Sequence, residues 1–391
     1  MTDVNIDADG EDNVFYIAPA LEIAPNEQKT LDIFVTYYGA DSTETTTVAV
    51  TIAGKGKTSG TSISGAQTGS TVTIQVPVLS PAFENDPLSD IVLAGSTGVK
   101  LATYSFTAYY REYYLDQITI KDATGLIKEA WLKYTNDGVT TIETGKLALI
   151  ASVNQTFVLS PELLVPADSA NVVSVYGTFK SMPSETPITT SGNTPQIVLD
   201  KYREKGQLET DISSDINANA MQFRRTRITV TATGGAVTAV RSSAQEVMRF
   251  SVGANSAYAA AIQKLVLTRS GTTKATGTTT YPVTLVRIAD GLTVATTSVT
   301  TAADGTLPTT LTFSTTTFAA YAQNAIPAGT TYDYKVVMNT NDFTGTAASP
   351  TTFRLAITAA TDVTWTDAAA TEFTSTYIKT FPAEGLLWTY Q

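Results

Sequence analysis

The feature that most constrains this chain is its resemblance to itself. ATYSFTA (102–108) aligns with MRFSVGA (248–254), placing Tyr104 against Phe250 at an offset of 146 residues. DQITI (116–120) aligns with QKLVL (263–267), and WLKYTNDG (131–138) with TLVRIADG (284–291). Two proline turns follow, Val165-Pro166-Ala167-Asp168 and Ile326-Pro327-Ala328-Gly329, by then 161 residues apart. An offset that grows along the copy is what insertions in surface loops produce, with GTTKATGTTT (271–280) the expected place for one. Such a chain is built from one structural unit used more than once.

A shorter relationship reaches the N-terminal part. IAPALEIAPNEQKTLDIFVTYYG (17–39) shares the proline turn followed by an alternating strand. TVAVTIAGKGKTSG (47–60), TPQIVLDKYREKG (194–206) and TFRLAITAATDVT (352–364) are each a strand running into a polar loop. The strand that comes next is TVTIQVPVL (71–79) in the first copy and RITVTATGG (227–235) in the second. The unit is about 145 residues long, and the expected modules are 1–95, 96–242 and 243–391. The first of these holds only the back half of a unit. Either the chain comes from a longer array, or a neighbour supplies strands to an exposed edge.

The unit itself reads as sheet. Val, Ile, Tyr, Phe and Thr dominate runs that alternate in polarity, and such side chains suit a pleated surface. Turn residues recur every 8–12 positions, the pattern of a sandwich. Asp137-Gly138 and Asp290-Gly291 follow alternating strands and supply the positive φ of a hairpin. Ile118, Ile120, Leu132, Val173 and Val175 are the expected inward residues. Helix is minor: SDINANAMQFRR (214–225) is read as a turn or two, and SAYAAAIQKL (256–265) as a loop entering a strand. The fold class is therefore all-β, tandem β-sandwich modules with the first incomplete.

Composition excludes several chemistries. The chain has no histidine and no cysteine, which removes a Ser-His-Asp triad, a cysteine nucleophile, disulfides and zinc sites built from those ligands. Its 25 basic and 36 acidic residues leave a net charge of −11, which repels a phosphate backbone, so nucleic acid is not an expected partner. No apolar run reaches the length of about 18 residues that a membrane span requires. MTDVNIDADGEDN lacks the basic and apolar regions of a signal peptide, and FPAEGLLWTYQ is not read as an anchor.

Asn5, Asp7 and Asp9, before Gly10, resemble the start of a calcium loop, in which alternate oxygen ligands face one hard cation. The match is partial, because Tyr16 stands where the closing glutamate belongs. Calcium is the one cofactor these residues suggest. The tyrosine-rich segment YSFTAYYREYYLDQ (104–117) places Tyr109, Tyr110, Tyr113 and Tyr114 as an interface with another subunit or module, tyrosine being rigid and amphipathic. KYREKGQLE (201–209) and FRRTR (223–227), with Arg224 and Arg225, concentrate positive charge that a neighbouring acidic subunit would meet. Gly56-Lys57-Thr58 echoes a phosphate loop but is read as a polar turn, since no helix pattern follows. Glu84, Asp86 and Asp90 are read as surface charge.

The proline turn ahead of an alternating strand, the LVRIADG-type hairpin and the Thr/Ala/Val-rich composition resemble the tandem immunoglobulin-like modules of prokaryotic surface-layer proteins, adhesin stalks and extracellular filaments. That resemblance implies an extracellular, cell-surface location, self-assembly with copies of the same chain, often bound calcium, and no catalytic motif. A non-enzymatic structural protein of a surface layer or filament is the function expected. The alternatives are an adhesin or stalk that binds cell-wall or surface glycan, a virus or phage fibre or decoration protein, and a secreted glycosidase with paired acids in a cleft.

Overall fold

The computed structural model describes residues 20–30, 32, 44–182, 191–368, 373–374, 378 and 380–391, and the fold is all-β. The chain divides into two compact units, Met1–Val76 and Pro77–Gln391. In the first, the described strands are β1 (Glu44–Lys55) and β2 (Ser62–Ile74), an antiparallel ribbon. Gly56-Lys57-Thr58 lies in its turn, which closes where the Gly60 amide donates to the Gly56 carbonyl and the Gly56 amide to that of Thr61.

The second unit contains two sandwiches in succession. In the middle sandwich one sheet runs β3 (Val78–Phe83), β5 (Val99–Tyr109), β11 (Ala170–Phe179), β7 (Ile127–Tyr134), β8 (Ile142–Glu143), with β9 (Leu147–Ala148) also on β7. The facing sheet runs β10 (Gln155–Val165), β6 (Tyr113–Asp122), β12 (Ile197–Glu204), β13 (Glu209–Asn217). A short parallel pair, β4 (Ile91–Leu93) and β14 (Gln222–Arg224), lies outside both.

The last sandwich repeats this plan. Its first sheet is β15 (Ile228–Ala232), β17 (Gln245–Ala254), β22 (Thr331–Met338), β19 (Thr280–Arg287), β20 (Thr293–Thr300). Its second is β16 (Gly235–Thr238), β27 (Leu386–Tyr390), β23 (Thr351–Ile357), β18 (Ala261–Ser270), β24 (Val363–Thr366), β25 (Phe373–Thr374). β21 (Thr310–Phe313) also pairs with β18, and β26 (Ala383–Glu384) with β23.

The repeat holds to the level of residue pairs. Ile118 lies opposite Phe157, and its counterpart Leu265 lies opposite Phe313. Leu132 faces Val175 as Leu285 faces Val336. Tyr104 and Phe250 are both buried on the second strand of their sheets, as the alignment requires. The five residues expected to point inward are all buried in the middle core. Gly138 and Gly291 have φ of +73° and +71°, the conformation the Asp-Gly pairs called for.

Three local expectations differ from the structure. β3 falls before the boundary expected at 95, yet it pairs with β5; β15 falls before the boundary expected at 242, yet it pairs with β17. Each sandwich thus opens with an edge strand, so the counterpart of ITVTA is VLSPAF and not the 72–76 stretch that the alignment of 71–79 with 227–235 set against it; VLSPAF and ITVTA share too little to align. The segment 214–225 forms the end of β13 and all of β14 rather than helix, because pairing with β12 and β4 overrides the local preference. The 271–280 loop is not wholly superficial: Ala275 enters the last core, and its amide donates to the Gly305 carbonyl.

Candidate functional site

A buried polar site lies where the two sandwiches of the second unit meet. β4 alternates as any strand does, but its successive side chains enter different cores. Val92 packs in the middle core, whereas Ile91 is a member of the last core and Leu93 packs against it. A three-residue strand therefore serves as a weld between modules.

Polar groups complete the junction. Asp367, which follows β24, is fully buried, and its Oδ2 accepts from the Ser191 hydroxyl at 2.6 Å and from the Arg225 amide at 3.0 Å. The Arg225 guanidinium lies 4.3 Å from the centre of the Tyr258 ring, in cation–π range. Arg227 reaches Asp90 at 3.5 Å, and the Asp90 Oδ1 accepts from the Ile91 amide. Arg224 and Arg225 are 4% and 3% exposed. Both side chains are buried within the chain rather than presented at its surface: Arg225 meets Asp367 and Tyr258 of the last sandwich, while Arg224 donates to Gln222 and to the Phe223 carbonyl in its own strand.

The other cationic segment is also satisfied locally. Arg203 grips Asp116 with two bonds of 2.8 and 2.9 Å, Lys201 reaches Asp211 at 2.7 Å and Lys205 reaches Glu162 at 2.8 Å. Asp86 pairs with Lys100 and accepts from the Thr103 hydroxyl, and these contacts hold its carboxyl below the usual range.

The tyrosine segment sits at the end of the middle sandwich remote from the junction, where β5 turns into β6. Tyr109 and Tyr110 are exposed, with ring centroids 6.4 Å apart. Tyr110 takes a left-handed φ of +71° and its amide donates to Asp168, the residue that ends the proline turn. Tyr114 is exposed and donates to Glu112. Tyr113 departs from the expectation: it is buried, capped by the Arg111 guanidinium at 4.0 Å, which Glu204 fixes through two bonds of 2.6 and 2.7 Å. Three of the four tyrosines therefore remain available as a surface. In the last sandwich the corresponding loop carries Tyr258, the residue that receives Arg225.

A cleft of about 190 Å³ opens beside β18, lined by Gln263, Thr315, Tyr321, Asn324 and Thr366 among others. The side-chain oxygens of Gln263 and Asn324 are buried and turn toward no protein donor, the arrangement that holds ordered water. Its lining contains no carboxylate. Among the described residues there is no cluster of three acidic side chains placed to hold a metal. Asn5, Asp7 and Asp9 lie outside the described residues.

No family model matches the chain, and no curated protein matches it. Among solved structures, a protein of Corynebacterium diphtheriae proposed to be membrane-anchored aligns with 88% of this chain and 97% of its own length, at 9% identity and a TM-score of 0.16.

Proposed function

We propose that the protein is a non-enzymatic structural component of a prokaryotic cell surface, one that associates with copies of itself into a layer or filament. The observation that carries this reading is the weld at β4. Tandem domains joined by flexible linkers move independently. Here one strand contributes alternate residues to two cores, and a buried Asp367 ties the sandwiches together. Such construction transmits force. The acidic, cysteine-free composition fits an exported chain. Calcium at Asn5, Asp7 and Asp9 would offset part of the −11. No catalytic role is proposed for any residue.

One observation favours a second reading, a glycan-binding stalk: Tyr109, Tyr110 and Tyr114 form an exposed aromatic surface at one end of a sandwich. A pelleting assay on the full chain, with calcium and then with a chelator, separates the two. Sedimentable assemblies that chelator disperses support the lattice with its calcium; assemblies indifferent to chelator support the lattice alone. A chain that stays soluble in both, yet is retained by a surface-glycan column, favours the stalk.

A further inference from the structure

The last sandwich departs from the plan of the middle one at one strand. In the middle sandwich β10 runs from Gln155 to Val165, and its far end pairs with the start of β6: Val165 lies opposite Tyr113 and Leu163 opposite Leu115. In the last sandwich the matching strand, β21, stops at Phe313. Pairing resumes at Ile326, which bridges Ala260 as Val165 pairs with Tyr113. Between the core phenylalanine and the proline turn the last sandwich has twelve residues, 314–325, where the middle one has seven, 158–164. The longer segment forms a 3-10 turn (Thr315–Thr317) and a single helical turn, α1 (Tyr321–Asn324). The cleft of about 190 Å³ opens where the strand has stopped, against Ala261, Ile262 and Gln263 of β18.

Asn324 stands two residues ahead of Ile326, as Leu163 stands two ahead of Val165. Both are buried, Asn324 at 1% exposure and Leu163 at 0%. Leucine fills this place in the middle core, so the fold itself does not require an amide there. Half of the amide has a local partner: Nδ2 of Asn324 donates to the Ile262 carbonyl at 2.6 Å, tying α1 back to β18. That bond fixes which way the amide faces and leaves Oδ1 buried without a donor. Oε1 of Gln263 is a second such oxygen in the same lining. A buried acceptor with no donor is destabilising, and a ligand that supplies the donor recovers that free energy.

The lining selects the ligand. Two open acceptors call for a donor and disfavour an anion. Among the described residues no charged side chain lines the cleft, so a cation would be buried there without a counter-charge. Phe318 and Tyr321 add aromatic surface, and the Tyr321 hydroxyl is held by the Ala259 carbonyl at 3.4 Å. Thr315 and Ala320 are exposed, which gives the cleft a mouth to solvent. The volume is below the roughly 300–1,000 Å³ of sites for drug-sized ligands, and suits a single ring. A neutral ring with hydroxyl donors on its rim and C–H faces to set against an aromatic side chain is a sugar.

We propose that the cleft beside β18 binds one neutral pyranose unit, whose hydroxyls donate to Oδ1 of Asn324 and Oε1 of Gln263. In the free protein ordered water takes those positions, and the sugar displaces it with hydroxyls that reproduce its bonds. The site stands apart from both readings above: self-association does not require it, and it lies in the last sandwich, away from the exposed tyrosines of the middle one.

Saturation-transfer NMR on the full chain tests this, with glucose, galactose, mannose, N-acetylglucosamine and their methyl glycosides as probes. Single sugar units bind weakly, in the millimolar range that this measurement reads. At least one probe should respond. The response should fall at least tenfold in Gln263→Leu, which removes one acceptor, and in Ala320→Trp, which fills the mouth. Neither substitution touches the bond between Asn324 and Ile262, and the thermal transition of the second unit checks that folding is intact. An equal response from a methyl glycoside assigns the end of a glycan chain, and a response from free sugars alone assigns a free monosaccharide. A response lost in Tyr109→Ala with Tyr110→Ala, yet kept in Gln263→Leu and Ala320→Trp, would place the sugar on the tyrosine surface and overturn the inference. Silence from every probe, leaving a cleft that holds water alone, would overturn it as well.

Discussion

The backbone amide of Arg225 donates to Oδ2 of Asp367 at 3.0 Å, joining the last turn of one sandwich to the end of a strand in the next. The same oxygen accepts from Ser191, and the Asp367 carbonyl accepts from the Arg225 guanidinium at 3.4 Å. Asp367 is fully buried, out of contact with bulk solvent. Replacing it with alanine leaves buried donors without their acceptor, so Asp367→Ala should destabilise the second unit by about 3 kcal/mol. Ser191→Ala should cost about 1 kcal/mol, the worth of one charge-assisted bond in a setting where the acceptor keeps another donor. Urea denaturation of the variants measures both.

β4 predicts a defect that crosses the module boundary. Ile91→Ala opens a cavity in the last core from a strand that pairs with β14, and should cost about 3 kcal/mol there. Trp365 and Trp388 report on the last sandwich and Trp131 on the middle one. In a Trp131→Phe background, fluorescence should show the last sandwich unfolding earlier in denaturant. An unchanged midpoint would mean that β4 does not couple the cores.

Tyr104 ties the two sheets of the middle sandwich. Its hydroxyl is shared between the carbonyls of Ile197 and Ile216, at 3.2 and 3.3 Å, and burial pushes its ionisation far up. Phe250 occupies the matching place without a hydroxyl. Tyr104→Phe leaves packing intact but removes the bond that ties the sheets, the Ile197 carbonyl keeping the Ala218 amide, and should cost about 1 kcal/mol. Thermal unfolding of the single variant tests this.

The hairpin between β19 and β20 carries a pH dependence. Arg287 beside Asp290, helped by the Leu292 amide, lowers the Asp290 carboxyl from an ordinary 3.8 to about 2. A folded-state value below the unfolded one means the contribution is whole above about pH 4 and fades as pH falls through 2. The melting-temperature gap between the wild type and Asp290→Ala should therefore be constant at neutral pH and close between pH 4 and 2. A gap that persisted at pH 2 would assign the effect to turn geometry alone.

Much of this architecture was legible in the residues, for physical reasons. Strand pairs that build the core, such as Ile118 with Phe157 and Leu265 with Phe313, must keep size and polarity, so their segments still align. Edge strands have one face and one neighbour to satisfy, and β3 and β15 have diverged until their kinship shows only in pairing. The junction was harder to see. FRRTR stood out as charge, but nothing local signals that Asp367, 142 residues beyond Arg225, will meet it. Burial of Tyr113 among exposed neighbours depends on Arg111 being held by Glu204, a contact made across 93 residues. Tyr134 and Arg287 occupy matching positions and both donate across to a carbonyl, of Pro161 and of Gln323, a shared role that their identities conceal.

Electron microscopy of the purified full chain at rising concentration probes the proposed role most directly. Periodic sheets or filaments, with a repeat set by the sandwiches, are the result this account predicts. Monodisperse single particles at every concentration, with and without calcium, would contradict it.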